Sequence, residues 1–278
     1  LAGELLFNRY TRLEVGIPGQ EGLVIEGLRI SFEVEKTSTS TANASNISVY
    51  NLNKASRSFM EKKGLFARLI VGYKPPLDIG FEEILAVGNV AKALNDRTPP
   101  DWKTQFEIGD GETALNETAV NKSFDAGISL SSVISDVAGT FGKPVSYIKG
   151  VKDKVLKNGL SVSGAAKAIM DDITEEGDVE WSIQDDEVIV LPKSGATDDE
   201  VYVLTPETGL IGSPKKREEG IEFSSLIIPK LRPGRRVRLE SQDFTGLYRI
   251  RTAKFRGDNF EGPWDCRVEA VEVGSATA

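Results

Sequence analysis

Histidine begins most proton-transfer chemistry at neutral pH, because its unperturbed pKa lies near 6.5. This chain of 278 residues has none. Ser-His-Asp and Cys-His nucleophilic catalysis are therefore excluded, as are histidine-based zinc, haem and non-haem iron sites. The single cysteine, Cys266, lies in the strand-like run Trp264-Asp265-Cys266-Arg267-Val268. There it reads as a small buried hydrophobe rather than a reactive thiol. One cysteine makes no internal disulfide, so the fold needs no oxidising compartment.

Carboxylates are the remaining chemical resource. Glu175-Glu176-Gly177-Asp178 and Asp198-Asp199-Glu200 could supply a pair for glycoside hydrolysis, which needs two acids about 5–10 Å apart across a sugar. With 42 acidic residues in the chain, some pair is always available, and solvated surface is the simpler reading. Gly109-Asp110-Gly111-Glu112 is a glycine-rich acidic turn without the alternating Asp-x-Asp-x-Asp-Gly spacing of a calcium loop. No phosphate loop or dinucleotide fingerprint is present. The expectation is no catalytic centre, no cofactor and no tightly bound metal.

Two basic clusters stand out on an acidic chain of net charge −8. Lys215, Lys216 and Arg217 follow a Gly-Ser-Pro turn, and Arg232, Arg235, Arg236 and Arg238 surround Pro233-Gly234. Alternation puts Arg236 and Arg238 on the face opposite Val237 and Leu239. Two readings stay open: a solvated exterior, or joints to an acidic neighbouring subunit or a channel face. Arginine suits such joints because its guanidinium makes directional contacts with carboxylates.

The elements that must carry these residues are mostly strands. Apolar residues make up 40% and charged residues 27%, ordinary for a folded chain. The length suits two or three domains of about 100–150 residues. The acidic balance argues against broad nucleic-acid binding, and no stretch reads as a leader or a membrane span. Leu28, Ile30, Phe32 and Val34 alternate with polar residues as a half-buried strand, and 37–46 reads as a polar loop. Strands follow at 47–50, 66–73, 81–94 and 102–108, with a short helix over 53–63 capped by Asn53. From residue 109 the period changes. Helices are expected over 111–120, over 129–141 from Ser129, with Val133, Ile134, Val137 and Phe141 inward, and over 164–174. The last is capped by Ser161 or Ser163 and buries Ala165, Ala168, Ile169 and Ile173. A strand at 145–148 and a hairpin turning at Asp185-Asp186 complete this part. After 192–196 the pattern is all strand: 201–204, 219–227, 235–241, 247–255 and 264–273. The fold class is mainly β with an inserted α+β module: 1–121, then 122–192, then 193–278.

Four stretches in this order carry a resemblance. They are Ile47-Ser48-Val49-Tyr50-Asn51-Leu52-Asn53 with Ala67-Arg68-Leu69-Ile70-Val71-Gly72-Tyr73; Pro100-Asp101-Trp102-Lys103-Thr104 leading to Gly109-Asp110-Gly111; the Ser129 helix, the Ser161-Val162-Ser163-Gly164 segment and the Trp181 hairpin; and Leu226 to Arg235 with Tyr248, Arg256-Gly257-Asp258 and Gly262-Pro263-Trp264. Together they resemble the baseplate hub proteins of contractile-tailed bacteriophages. Lys254-Phe255-Arg256 stands where such proteins often carry a histidine. The resemblance implies two small barrel-like tube domains per subunit and a homotrimer that presents six similar barrels to a six-fold tail tube. It implies a non-enzymatic virion protein, made in the host cytoplasm and placed in the tail baseplate. Its partners would be the tail tube protein, the central spike protein and other baseplate proteins, with DNA passing through the channel without sequence-specific binding. The alternative is a tail-associated peptidoglycan-binding or glycan-cleaving protein, since 122–192 has the strand–helix–helix–strand pattern of LysM-like folds.

Overall fold

A computed structural model of the chain describes residues 8–41, 43–74, 81–91, 93–110, 112–148, 154–193 and 201–273. The first part runs β1 (Arg9–Gly16), β2 (Leu23–Glu26), β3 (Ile30–Thr37), β4 (Asn43–Tyr50), α1 (Lys54–Met60), β5 (Phe66–Tyr73), β6 (Phe81–Val90), β7 (Leu94–Thr98) and β8 (Asp101–Asp110). Next come α2 (Glu112–Glu117), β9 (Ala119–Phe124), α3 (Leu130–Gly139), β10 (Val145–Ile148), β11 (Leu160–Ala165), α4 (Ala166–Glu176), β12 (Val179–Gln184) and β13 (Glu187–Pro192). The third part holds β14 (Val201–Leu204), a 3-10 turn (Pro206–Thr208), β15 (Leu210–Arg217), β16 (Gly220–Leu226), β17 (Arg236–Glu240), β18 (Thr245–Asp258) and β19 (Trp264–Glu272).

The first and third parts form one 14-stranded sheet. Its order is β15-β16-β19-β18-β3-β4-β8-β6-β5-β1-β2, with β17 and β14 branching from β18 and β7 pairing with β8. The class is mainly β, as the alternation requires. The sheet is not a closed barrel: no described strand pair closes the path, which ends openly at β15 and β2. Strand β18 is what joins the first and third parts. Its first residues pair with β17, its last seven with β3, and its other edge with β19. A bulge leaves Arg251 as the extra residue between Ile250 and Thr252, where the strand passes from one partner to the next.

Alternation explains most strands. In β3, Ile30, Phe32 and Val34 are buried, and their polar neighbours lie toward solvent. Asn53 caps α1 by accepting from Ser56 N at 2.9 Å, and Ser129 caps α3 by accepting from Ser132 N at 3.2 Å. Two local expectations fail. The polar run 37–46 is a loop only over 38–41 among its described residues: Asn43 Oδ1 accepts from Thr37 N at 3.0 Å, and β4 pairs with β8 from Asn43 onward. Ser161 and Ser163 cap nothing, because β11 pairs with β9 as far as Ala165 and α4 starts only then, without a side-chain cap. The later start turns the buried face of α4 to Ala166, Met170 and Ile173, leaving Ala165 and Ala168 exposed.

Apolar burial falls into two clusters. The larger lies within the long sheet, around Leu13, Ile30, Ile47, Leu69, Phe255 and Val268. The smaller packs α3 and α4 on β12 and β13 through Val133, Ile134, Val137, Met170, Trp181 and Val190. There Phe141 stacks on Trp181 at 5.1 Å, and Trp181 Nε1 donates to Asp171 at 2.8 Å.

The turn after β18 fastens the third part of the chain to the first. Asn259 Oδ1 accepts from Ile30 N, and its Nδ2 donates to Thr11 Oγ1 and Leu28 O, each at 2.8 Å. Arg29 donates twice to Asp258 Oδ2, at 3.0 and 2.8 Å. Beside them the buried ring of Phe32 packs against Gly257, where a Cβ would meet ring carbon Cζ at 2.2 Å. Gly257→Ala therefore has to displace Phe32, whose edge-on partner Trp264 sits 5.8 Å away. The expected loss is about 1–3 kcal/mol of unfolding free energy, read as a lower urea midpoint; an unchanged midpoint would show that the ring moves freely.

Candidate subunit interface

The basic residues expected at joints divide between two strands of the long sheet. Lys215, Lys216 and Arg217 are exposed at the end of edge strand β15. Arg236 and Arg238 lie on β17, opposite in phase to the buried Val237 and Leu239. β16, β19 and β18 separate the two groups, so they do not form one patch. Arg235 precedes β17 and lines a cleft of about 870 Å³, together with Glu82, Glu83, Asp186, Glu187 and Lys230.

Arg217 is engaged within its own chain. Its Nε donates to Glu222 Oε2 at 3.0 Å, while Arg267 from β19 reaches Glu222 Oε1 at 2.7 Å. The hydrogen bond from Arg267, then that from Arg217, holds the Glu222 carboxyl below the usual glutamate range against the opposing effect of burial.

Among the described residues, the acidic cluster at the end of α4 is engaged by lysines. Glu175 pairs with Lys193 at 2.9 Å and Glu176 with Lys154, both at the end of α4. Asp198-Asp199-Glu200, Gly111 and the side chains of Asp110 and Glu112 lie outside the described residues. Cys266 is fully buried, and burial pushes its thiol well above its ordinary value.

Sequence reasoning missed the most constrained polar site. The β12–β13 hairpin turns through Asp185 and Asp186, both at positive φ (52° and 69°), the pairing required by a tight two-residue turn. That turn aims Asp185 at the long sheet. Lys36 Nζ on β3, 3% exposed, contacts its Oδ1 at 2.6 Å, and Arg232 contacts its Oδ2 at 2.7 Å. Arg232 also donates to Pro229 O at 2.8 Å and to Ile84 O on β6. Nearby, Asn43 Nδ2 donates to Ile183 O at 3.1 Å. On β18, buried Arg249 pairs with Glu180 on β12 and donates to Lys193 O. These charged and polar bonds link the α+β part to the sheet. One signal was available in the sequence: Lys36 continues the buried phase of Ile30, Phe32 and Val34, where a lysine needs a partner.

A family model described as baseplate hub gp41 matches residues 12–255, from β1 into β18. The chain belongs to the baseplate hub gp41 family. Membership makes it a phage tail protein of the baseplate. Solved structures share the fold at low identity. The tail protein from Neisseria meningitidis MC58 superposes with a TM-score of 0.66 at 9% identity, over 96% of this chain and 98% of that one. The 43 kDa tail protein of prophage MuSo2 from Shewanella oneidensis gives 0.65 at 10% identity, over 94% and 96%. The E. coli c3393 protein, a component of the type VI secretion system, gives 0.61 at 8% identity, over 94% and 77%. A search of the curated proteins found no significant match. Among the described residues of this hub-family chain, no helix is long and apolar enough to cross a membrane.

Two outcomes test the polar joints. Asp185→Asn keeps a residue that tolerates positive φ but removes the charge facing buried Lys36. The expected loss is about 3–5 kcal/mol, with faster amide exchange in β12 and β13; unchanged exchange there would mean the hairpin is held by other contacts. For Glu222, the folded carboxyl titrates below the unfolded one. Its contribution is complete above the unfolded value of about 4.3 and is lost as pH falls through the folded value. Glu222→Gln should therefore destabilise the protein at neutral pH and lessen its acid sensitivity. Parallel stability–pH curves for variant and wild type would contradict this.

Proposed function

We propose that this chain is a structural hub subunit, a homotrimer on the axis of a contractile phage tail that joins the tail tube protein to the central spike protein. Family membership over residues 12–255 is the observation that carries the reading. The shared strand β18 supports it, because main-chain hydrogen bonds couple the first and third parts of the subunit as one wall element. In this reading 1–121 and 193–278 form the wall, and 122–192 sits on it. The net charge of −8 leaves a lumen to which DNA does not adhere. The role is non-catalytic and requires no cofactor or metal. Arg235, Arg236 and Arg238, with Lys215 and Lys216, serve contacts between subunits or face the channel. The protein is made in the host cytoplasm and ends in the virion baseplate, beside other baseplate proteins.

The test is the absolute mass of the purified particle, by native mass spectrometry, alone and with tail tube and spike proteins. Three copies per particle are expected. A strict monomer under every condition would overturn the ring. Turnover of peptidoglycan that disappears on changing one carboxylate would overturn the non-catalytic role.

A further inference from the structure

The free edges of the long sheet differ in how they are protected. Among its described strands, β2, β7, β14 and β15 each have one unpaired edge. Each carries a large aliphatic side chain in solvent: Val24, Leu94, Val203 and Ile211. Folded proteins normally blunt such edges with charge, proline or a bulge. β15 has Pro214, Lys215, Lys216 and a register shift, and β7 has Asp96 and Arg97. β14 reads Val201-Tyr202-Val203-Leu204, with none of these devices.

The surface behind β14 continues the same character. Val203 lies opposite Arg238 on β17, and Arg238 lies opposite Leu247 on β18. Val273 N donates to Leu247 O at 3.2 Å, which extends the row. Pairing puts these side chains on the face away from buried Val237 and Leu239. Val203 is 42% and Val273 40% exposed, and Leu247 is half-buried. Arg238 is exposed and makes no ion pair or hydrogen bond among the described residues. The adjacent row on this face contains Arg236 and Arg249, and Arg249 is covered by Glu180 and Lys193 O. The α+β part thus reaches one row and leaves the next open.

We propose that the β14 edge and the row Val203–Arg238–Leu247–Val273 dock a second copy of this chain, which presents its β2 edge. The proposal rests on the ring reading above and names the contact within it. A strand laid on an open edge supplies main-chain hydrogen bonds, and side chains at alternate positions supply selectivity. On β2, Val24 (60% exposed) and Glu26 alternate on the solvent side, while Ile25 between them is buried. Their order offers an aliphatic group to Val203 and a carboxylate to Arg238. Glu26 lies 3.8 Å from Lys74 and beside the Tyr10 hydroxyl, and its side chain is half exposed. The other edges are less suited: β15 would bring Lys215 and Lys216, and β7 Arg97, against Arg238. Two different patches meeting head to tail are what a closed ring requires.

The experiment is disulfide trapping on the full chain. Val24→Cys and Val203→Cys are combined in one protein; Cys266 is fully buried and does not compete. Oxidation should give cross-linked dimers and higher inter-chain species in the double variant and cross-linked dimers in a mixture of the two single variants, but no cross-link in either single variant alone. A particle of oligomeric mass that gives no cross-link would overturn this contact and leave the ring standing. Dimers of Val203→Cys alone would also overturn it, as evidence for a symmetric contact. A monomer at every concentration would remove contact and ring together. As a second reading, Arg238→Glu should weaken assembly at least tenfold, and Glu26→Arg in the same chain should restore it. Failure of that rescue counts against the pairing of these two residues.

Discussion

Strand β18 satisfies its backbone on three partners, and the rest of the molecule follows from how it does so. An antiparallel strand has two edges. One edge of β18 runs along β19; the other is divided between β17 and β3. A bulge at Arg251, in the ladder with β19, falls at the point where the opposite edge passes from β17 to β3, and bulges bend and twist a strand. Ser38 N uses Arg251 O at 3.0 Å, and Ile250 exchanges bonds with Gly234 and Arg235, so the change of partner leaves these groups paired. Because β3 is joined to β18, the strands before and after the α+β part belong to one sheet.

The two apolar clusters then meet through polar chemistry. Burial within each cluster supplies stability without direction. Lys36, Asp185, Arg232, Arg249 and Glu180 supply direction, since each bond has a fixed length and angle. A buried pair of this kind gives little net stability once desolvation is included, but removing one partner is severe.

Local patterns were legible in the sequence wherever one strand or one cap determined the outcome. The period of 2 in β3, the full extent of β5, the caps Asn53 and Ser129 and the Asp185-Asp186 turn all follow from neighbours a few residues away. Helix α4 was displaced because a strand pairing with β9 overrode two good capping serines. Strand β15 was not recognised, since Pro214 and three consecutive basic residues are depleted in strands and tolerated there only at an edge. The joining of β3 to β18 was invisible for a different reason: alternation tells which face of a strand is buried, not which strand lies beside it. Of the candidate residues, the solvent-side phase of Arg236 and Arg238 was readable, whereas the engagement of Arg217 by Glu222 depended on a neighbouring strand.

The pairing of β3 with β18 also sets a timetable. Arg29 and Asp258, which brace it, are 229 residues apart. At a synthesis rate of roughly 5–20 residues per second, β3 waits on the order of 10–45 s on the ribosome before its neighbour exists. During that interval the first half of the sheet exposes an unpaired edge and an uncovered apolar face. A chain released early lacks the strand that completes both. Completion of the sheet is therefore a length check: an interrupted polypeptide keeps its edge open, and only a chain extending through β18 presents a finished subunit for assembly.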